Sequence, residues 1–582
     1  MSNDEPVIID ETKPQLFTMF SLNTLNVQPT DEDQDIVDEK IDQLKQENNP
    51  IVKQDSPELD IIAKTTEVNI EYGVVNFRTK TVNNNTNYIN VETNQTGYLN
   101  GQYGADAAFL GYDNDRVLFR MAGIKGSVPK SEVVILEYTN NMNVSRYVTS
   151  KDRLFHGIVT DLSETTFNTT QDVGARPNYL EADKVYYSYD GHYFYTDYKV
   201  MIDDYKADTF NKAINKNEPF YNYFQYLSHR SISGVTASEI NTYINTRNAE
   251  AGRADSKLVN TGAAFVENEA KYGTNALLML GVAINESGWG TSRIAREYNN
   301  LFGHNAYDSD PSAATGYGSV AFSIYHHAAS FISDGYLDPC DGATFNGNFA
   351  KENCPRGRYY GANLGDESTG MNVKYASDPY WGEKAAAQIH VMTRRNAVKN
   401  LKTETIGIKS GTGTINIRQE PRTSTIVQNQ TRTNKHFSFK ILGQVTGDSV
   451  NGNNIWYKVQ SDPVLTASRD KLVQNVNGIV NTYNMDTMYG YVHSEYVSVV
   501  DNKPVNVIPE PEEPPTPPKP TFPVGDVNGD KKISSLDYMI IKQHIIGNRK
   551  MSKDELSRAD VYKDGKISSL DYMTIKNMII GR

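Results

Sequence analysis

Glu286 is the side chain in this sequence with the clearest setting for proton-transfer chemistry. It closes an apolar run, T-N-A-L-L-M-L-G-V-A-I-N-E, and is followed by S-G-W-G-T-S. An apolar wall raises a carboxyl pKa, so the acid keeps its proton near neutrality. A protonated carboxyl can donate to a glycosidic oxygen. The flanking Gly288 and Gly290 would let a polymer approach the backbone. The competing reading is a helix-end carboxylate paired with Arg293 or Arg296. For a second catalytic carboxylate the nearest candidates are Asp308 and Asp310, while the stretch Y-G-S-V-A-F-S-I-Y that follows has none. Trp289, Phe302 and Trp381 are either sugar-stacking walls or core. His304, His326 and His327 could suggest zinc, but adjacent histidines on a helix point to different sides, and no Glu-x-x-His pattern accompanies them. No catalytic metal is expected.

A second chemistry lies at the C-terminal end. Residues 526–537 read D-V-N-G-D-K-K-I-S-S-L-D and residues 560–571 read D-V-Y-K-D-G-K-I-S-S-L-D, each followed by an apolar helical run. A twelve-residue loop with oxygens at positions 1, 3, 5, 9 and 12 wraps a hard cation such as calcium. The first loop supplies Asp526, Asn528, Asp530, Ser534, Asp537 and the carbonyl of Lys532. The second supplies Asp560, Asp564, Ser568, Asp571 and the carbonyl of Lys566. Tyr562 stands at its third position, where a small oxygen ligand is expected, so the first site should be the tighter. No entering helix is expected before either loop.

The elements that must position these groups follow from pattern. At 582 residues several domains are expected, and a net charge of −13 argues against nonspecific DNA binding. Residues 1–65 read as an acidic flexible leader. Residues 66–205 read as β structure, with Y-G-V-V-N-F-R, R-V-L-F-R-M and E-V-V-I-L-E-Y as strands and Asp190-Gly191 as a hairpin turn. Residues 206–398 turn helical, including runs ending at Gly273 and at Glu286 and two more at 319–333 and 381–392. Residues 405–500 return to β. The proline-dense stretch 501–523 is a semi-rigid spacer, and 524–582 holds the two loops. Cys340 and Cys354 bracket a loop that a disulfide could close, or they stay as unpaired thiols. No apolar run approaches the ~20 residues of a membrane span. The N-terminus lacks the regions of a signal peptide, so the chain reads as a trimmed form of an exported protein.

The duplicated loop–helix resembles the type I dockerin module, which plugs enzymes into cohesin-bearing scaffolds. That resemblance implies structural calcium and a cohesin-facing surface including Ser535, Leu536, Ser569 and Leu570. A-I-N-E-S-G-W-G-T-S, N-N-L-F-G-H-N-A and Y-A-S-D-P-Y-W-G-E-K-A, in that order, resemble the bacterial peptidoglycan N-acetylglucosaminidases of glycoside hydrolase family 73. The resemblance implies a lysozyme-like, mainly α catalytic domain with Glu286 as general acid. It also implies a tyrosine near the reacting sugar, Tyr375 or alternatively Tyr380. Family members often carry a second Glu 30–40 residues on; its absence here favours the substrate's own acetamido group as nucleophile over Asp310 or Asp308. The region 66–205 resembles the part that precedes this catalytic domain in clostridial-type autolysins. T-I-N-I-R-Q-E-P resembles the opening of a bacterial Src-homology-3-like β-barrel.

The reading taken together is a secreted, cell-surface glycoside hydrolase. It would cut the β-1,4 bond between N-acetylglucosamine and N-acetylmuramic acid in peptidoglycan glycan strands and attach through calcium to a cohesin. A lytic transglycosylase, an endo-β-N-acetylglucosaminidase on N-glycans and an inactive wall-binding protein are the alternatives.

Overall fold

The structure, a computed structural model, describes residues 70–80, 84–167, 169–304, 314–339, 357–473, 480–500 and 523–581. The leader, the proline-rich spacer except Pro523, Asp308, Asp310, Cys340 and Cys354 lie outside the described residues. The chain separates into two compact units, Met1–Asn506 and Val507–Arg582. Among the described residues no helix is long and apolar enough to cross a membrane.

The first unit opens with a seven-stranded antiparallel sheet. Its strands are β1 (Gly73–Asn76), β2 (Thr86–Asn90), β3 (Gln95–Leu99), β4 (Asp106–Asp113), β5 (Arg116–Met121), β6 (Ile124–Pro129) and β7 (Val134–Glu137), in the order β3-β2-β6-β5-β4-β1-β7. The three runs expected as strands are β1, β5 and β7. A four-stranded sheet follows, from β8 (Arg146–Thr149), β9 (Arg153–Ile158), β10 (Thr169–Ala175) and β11 (Val185–Tyr186), ordered β10-β9-β8-β11. The Asp190-Gly191 turn forms, with Tyr187 and Tyr195 bridged across it. The expectation of β structure up to 205 is corrected by helix α1 (Tyr198–Lys206). Asp197 caps it by accepting from the backbone of Lys199 and Val200. Tyr198, Met201, Ile202 and Tyr205 are buried at helical spacing.

The helical region begins with α2 (Ala237–Glu250), whose Thr236 and Glu239 form a reciprocal capping box. Helix α3 (Gly262–Tyr272) stops at Gly273, as the sequence implies. Asn275 then caps α4 (Ala276–Ser287), accepting from Leu277 and Leu278. Every residue of α4 from Ala276 to Ile284 is buried, so this helix is the axis of the region's hydrophobic core. Helix α5 (Arg293–Tyr298) follows, then α6 (Val320–His326), which widens into a π-helical stretch over His327–Tyr336. Helix α7 (Trp381–Arg394) lies against α4. The two backbones meet closely at Gly281, where a Cβ would sit 2.5 Å from the Ala385 carbonyl oxygen. Any larger residue there would push apart the two helices that carry Glu286 and Trp381.

A third sheet, also seven-stranded and antiparallel, completes the unit. It contains β12 (Thr405–Lys409), β13 (Asn416–Arg418), β14 (Val427–Gln430), β15 (Ser438–Val450), β16 (Asn453–Gln460), β17 (Tyr489–His493) and β18 (Val497–Val500), ordered β14-β13-β17-β16-β15-β12-β18. It is tied to the helical region by buried Arg230, which donates to the Asp462 carbonyl at 2.6 Å and lies 3.9 Å from the Tyr483 ring centroid.

The second unit packs α8 (Ser535–Ile545), α9 (Lys553–Ala559) and α10 (Ser569–Ile580) around Val527, Ile541, Met551, Ala559 and Ile575. Helix α9 runs directly into the second loop, which corrects the expectation of no entering helix. Ser552 and Glu555 form its capping box, a local signal written in S-K-D-E.

Candidate active site

Glu286 sits one residue before the end of α4, and Gly288 ends the helix in the left-handed conformation. A helix C-terminus is the negative pole of the backbone dipoles, a poor place for a carboxylate. The surroundings add to this. The carboxyl pKa is pushed up to about 8, by burial first and by the charge of Asp378 second. Trp381, the first residue of α7, opposes them by donating its Nε1–H to Glu286 Oε1 at 2.5 Å. Part of the Glu286 surface stays open, as a group that must meet a ligand requires. Asp378 is itself buried and held by Lys384 at 2.6 Å.

Opposite the indole contact lies the Phe302-Gly303 backbone. Gly303 has φ of +63°, and a Cβ there would come within 3.2 Å of Glu286 Oε2. Glycine therefore serves twice, for the left-handed backbone and for the approach to the carboxyl. Tyr375 donates its hydroxyl to the Phe302 carbonyl at 2.9 Å and stacks on Trp381 at 4.4 Å between centroids. Burial, and next the charge of Glu286, hold its phenol well above the usual range, so it stays a neutral donor. Tyr375 thus links the glycine turn to the tryptophan, and both flank Glu286.

The structure brings Glu286, Tyr375 and Trp381 together. It moves the other expected sugar contacts elsewhere. Trp289 is buried against Tyr243 and lies under Arg253 at 5.2 Å. Phe302 is fully buried and stacks on His327 at 3.7 Å. Tyr380 turns into the core of the first sheet, edge-on to His156 at 5.0 Å. Trp381 is fully buried, so its contribution is the indole donor and not a stacking face. An aromatic residue beside a catalytic motif is equally suited to wall or core, and sequence alone does not separate the two.

The histidines correct a second expectation. His304 Nδ1 meets the Tyr317 hydroxyl at 2.6 Å, and His304 Nε2 meets His327 Nδ1 at 3.0 Å. The same Tyr317 hydroxyl meets His326 Nδ1 at 3.1 Å. His326 and His327 therefore join one polar chain, at the point where α6 widens from α to π turns. Burial holds His304 and His327 well below the ordinary histidine range, so they are neutral. Gly303, Asp378 and Tyr317 are the site-side residues that sequence reasoning passed over. The first two stand inside the quoted motifs N-N-L-F-G-H and Y-A-S-D-P-Y.

In the second unit the loops are held by backbone amides. Asp526 accepts from Gly529, Asp530 and Lys531, and Asp560 accepts from Asp564 and Gly565. Asp537 and Asp571 are buried and accept from Ser534 and Ser568. Oxygens of Asp560, Asp564 and Asp571 lie within 4.8 Å of one another, a donor set that fits a divalent cation. Among the described residues that group stands in the second loop and not the first. In the first loop Asp530 Oδ2 is engaged by the Asn528 amide at 2.9 Å. Tyr562 is 60% exposed.

Residues 262–394 match the glucosaminidase family, described as mannosyl-glycoprotein endo-beta-N-acetylglucosaminidase, and residues 524–580 match the dockerin type I domain. The chain therefore carries a glucosaminidase domain and a C-terminal type I dockerin domain. Glu286, Gly303, Tyr375 and Trp381 all fall inside the first match. Two curated proteins named "Putative endo-beta-N-acetylglucosaminidase", from Streptococcus pneumoniae serotype 4 and from a second strain of that species, are each 30% identical over 277 residues. The aligned region is 47% of this chain and 34% and 32% of theirs, so the chain spans only that share of these relatives. A crystal structure of a catalytic mutant of S. aureus Autolysin E in complex with the disaccharide NAG-NAM is 20% identical, covering 32% of this chain and 78% of that one with a TM-score of 0.23. The structure of Major Bifunctional Autolysin is 22% identical, covering 35% and 79% with a TM-score of 0.23.

Proposed function

We propose that the protein is an extracellular endo-β-N-acetylglucosaminidase of peptidoglycan. It would cut the β-1,4 bond between N-acetylglucosamine and N-acetylmuramic acid, with Glu286 as general acid. The observation that carries the reading is the Glu286 carboxyl inside the matched glucosaminidase span, its pKa pushed up to about 8 by burial and bonded to Trp381. Near neutrality it holds the proton that the departing glycosidic oxygen must receive. The substrate's acetamido oxygen attacks the anomeric carbon as that bond breaks. Water then opens the resulting ring, giving its proton to the Glu286 carboxylate. Trp381 stabilises that carboxylate between the two steps, and Tyr375 positions the Gly303 turn beside it. Asp308 or Asp310 acting on water is the alternative second group.

The dockerin would hold calcium through Asp526, Asn528, Asp530, Lys532, Ser534 and Asp537, and through Asp560, Asp564, Lys566, Ser568 and Asp571. It would present Ser535, Leu536, Ser569 and Leu570 to a cohesin. Leu536 and Leu570, both at least half exposed, support that face. The third sheet is read as an SH3-like module and the helical region as lysozyme-like. A second substrate reading, the acetylated disaccharide core of N-glycans, is favoured by the family's description.

Mass analysis of peptidoglycan and of a high-mannose glycoprotein after digestion tests this. Reducing N-acetylglucosamine ends on peptidoglycan support the reading. Anhydro ends would make it a lytic transglycosylase, release of N-glycan alone would move the substrate, and no cut on either would leave a wall-binding protein.

A further inference from the structure

A cavity of about 1160 Å³ opens where β10, the turn at 190–193, the chain at 217–223 and the ends of β12 and β18 meet. Its lining includes none of Glu286, Tyr375 and Trp381. That volume exceeds the about 300–1,000 Å³ of most small-molecule pockets, so several sugar rings fit. Two residues that line it, Asp190 and Arg120, each 3% exposed, carry a buried atom with no hydrogen-bond partner among the described residues, Oδ2 and Nε. An unpaired buried acceptor or donor is costly. A carboxylate and a guanidinium on one wall suit a ligand that both donates and accepts.

The cations at the wall are engaged within the protein, and the carboxylates of Asp190 and Glu218 stand on the same wall. Arg120 Nη2 meets Asp208 at 3.1 Å, Lys435 is ion-paired with Glu92, Lys409 donates to the carbonyls of Gly413 and Arg432 at 2.8 and 2.6 Å, and Arg176 donates to the carbonyls of Lys151 and Leu180. With Asp190 and Glu218 beside them, a phosphate or an acidic peptide would find little excess positive charge. The rim instead offers half-buried aromatic faces, Tyr179 and the Tyr193–Phe210 pair stacked at 4.0 Å. Pyranose rings have apolar faces that lie on such rings and hydroxyls that pair with the wall.

We propose that this cavity is a second, non-catalytic binding site for a neutral β-linked glycan. The cavity's own chemistry asks for a neutral glycan; the choice of N-acetylated sugars rests on the function proposed above. The probes are an N-acetylglucosamine hexamer and a glucose hexamer, titrated calorimetrically into the full chain carrying Glu286→Gln. Two sites are expected for the acetylated hexamer. Tyr179→Ala with Tyr193→Ala should weaken one of them at least tenfold, as should Asn217→Trp, which fills the cavity from an exposed position. In the otherwise native chain the same changes should leave hydrolysis of a soluble acetylated trimer unaltered. Loss of the cavity site for the glucose hexamer alone would support the glycan site and overturn the N-acetyl choice. A single site untouched by both variants, or binding there only of an acidic stem peptide, overturns the proposal. Inactivity of the native chain toward every glycan, with the cavity site intact, would sink the catalytic reading and leave this one standing.

Discussion

Replacing Glu286 by Gln should stabilise the protein in alkali and do almost nothing to its stability in acid. Gln is nearly isosteric and still accepts the Trp381 indole N–H; only the titratable proton is lost. In the folded chain the carboxyl pKa is pushed from 4.5 to about 8. Below 4.5 the group is protonated folded and unfolded, and it makes no difference to stability. Between the two values the folded state holds a proton that the unfolded state releases, so rising pH destabilises the fold, and above about 8 the loss is complete. At about 1.36 kcal/mol per unit the full displacement corresponds to roughly 5 kcal/mol. Because part of the residue remains open to water, screening brings the expectation to about 2–5 kcal/mol. For a region of this size that is about 5–15 °C in Tm. The assay is tryptophan-detected thermal unfolding of parent and variant from pH 4.5 to 9.5, since Trp289 and Trp381 both report on the helical region. The Tm difference should open between pH 5 and pH 8 and then level. A difference that is constant with pH would refute a buried, proton-holding carboxyl. The same variant should lose about 100- to 10,000-fold in turnover; activity within a factor of about three would remove Glu286 from the mechanism.

Trp381→Phe removes the hydrogen bond that opposes the Glu286 shift. The alkaline limb of the kcat–pH profile should then move upward by about one to two units, from a charged hydrogen bond of about 1.5–3 kcal/mol; a downward move would contradict the assigned donor. Gly303→Ala places a Cβ 3.2 Å from Glu286 Oε2 in a left-handed backbone, so hydrolysis should fall at least tenfold with the protein still folded by circular dichroism. In the dockerin, chelation should unfold the helices while hydrolysis of soluble fragments continues, because the carboxylates repel without a cation. Calorimetry should find two unequal calcium sites, and Tyr562→Asn should tighten the second-loop site, whose carboxylates already cluster, by adding an oxygen at the third loop position; equal sites before the change would contradict the role given to Tyr562.

What the sequence made legible follows from how local each feature is. The strands Y-G-V-V-N, R-V-L-F-R-M and V-I-L-E, the stop at Gly273 and the helices carrying Glu286 and Trp381 are written in period and punctuation over a dozen residues. Helix α1 was hidden because its tyrosines read as strand formers; the decisive residue is Asp197, whose cap outweighs β propensity. At the site, the type of Glu286 was legible but the direction of its neighbours was not. Phe302 and Tyr380 stand close to the motif in sequence, yet each follows its backbone into a different core, Phe302 onto His327 and Tyr380 onto the first sheet. The same rule explains His326 and His327. Their separation on a helix was sound geometry, yet both reach one chain because Tyr317 and His304, from other segments, lie between them. Side-chain direction is set by long-range packing, so the residues that decide the acid's pKa, Trp381 and Asp378 some 90 positions away, could be named only once α4 and α7 were seen to meet at Gly281.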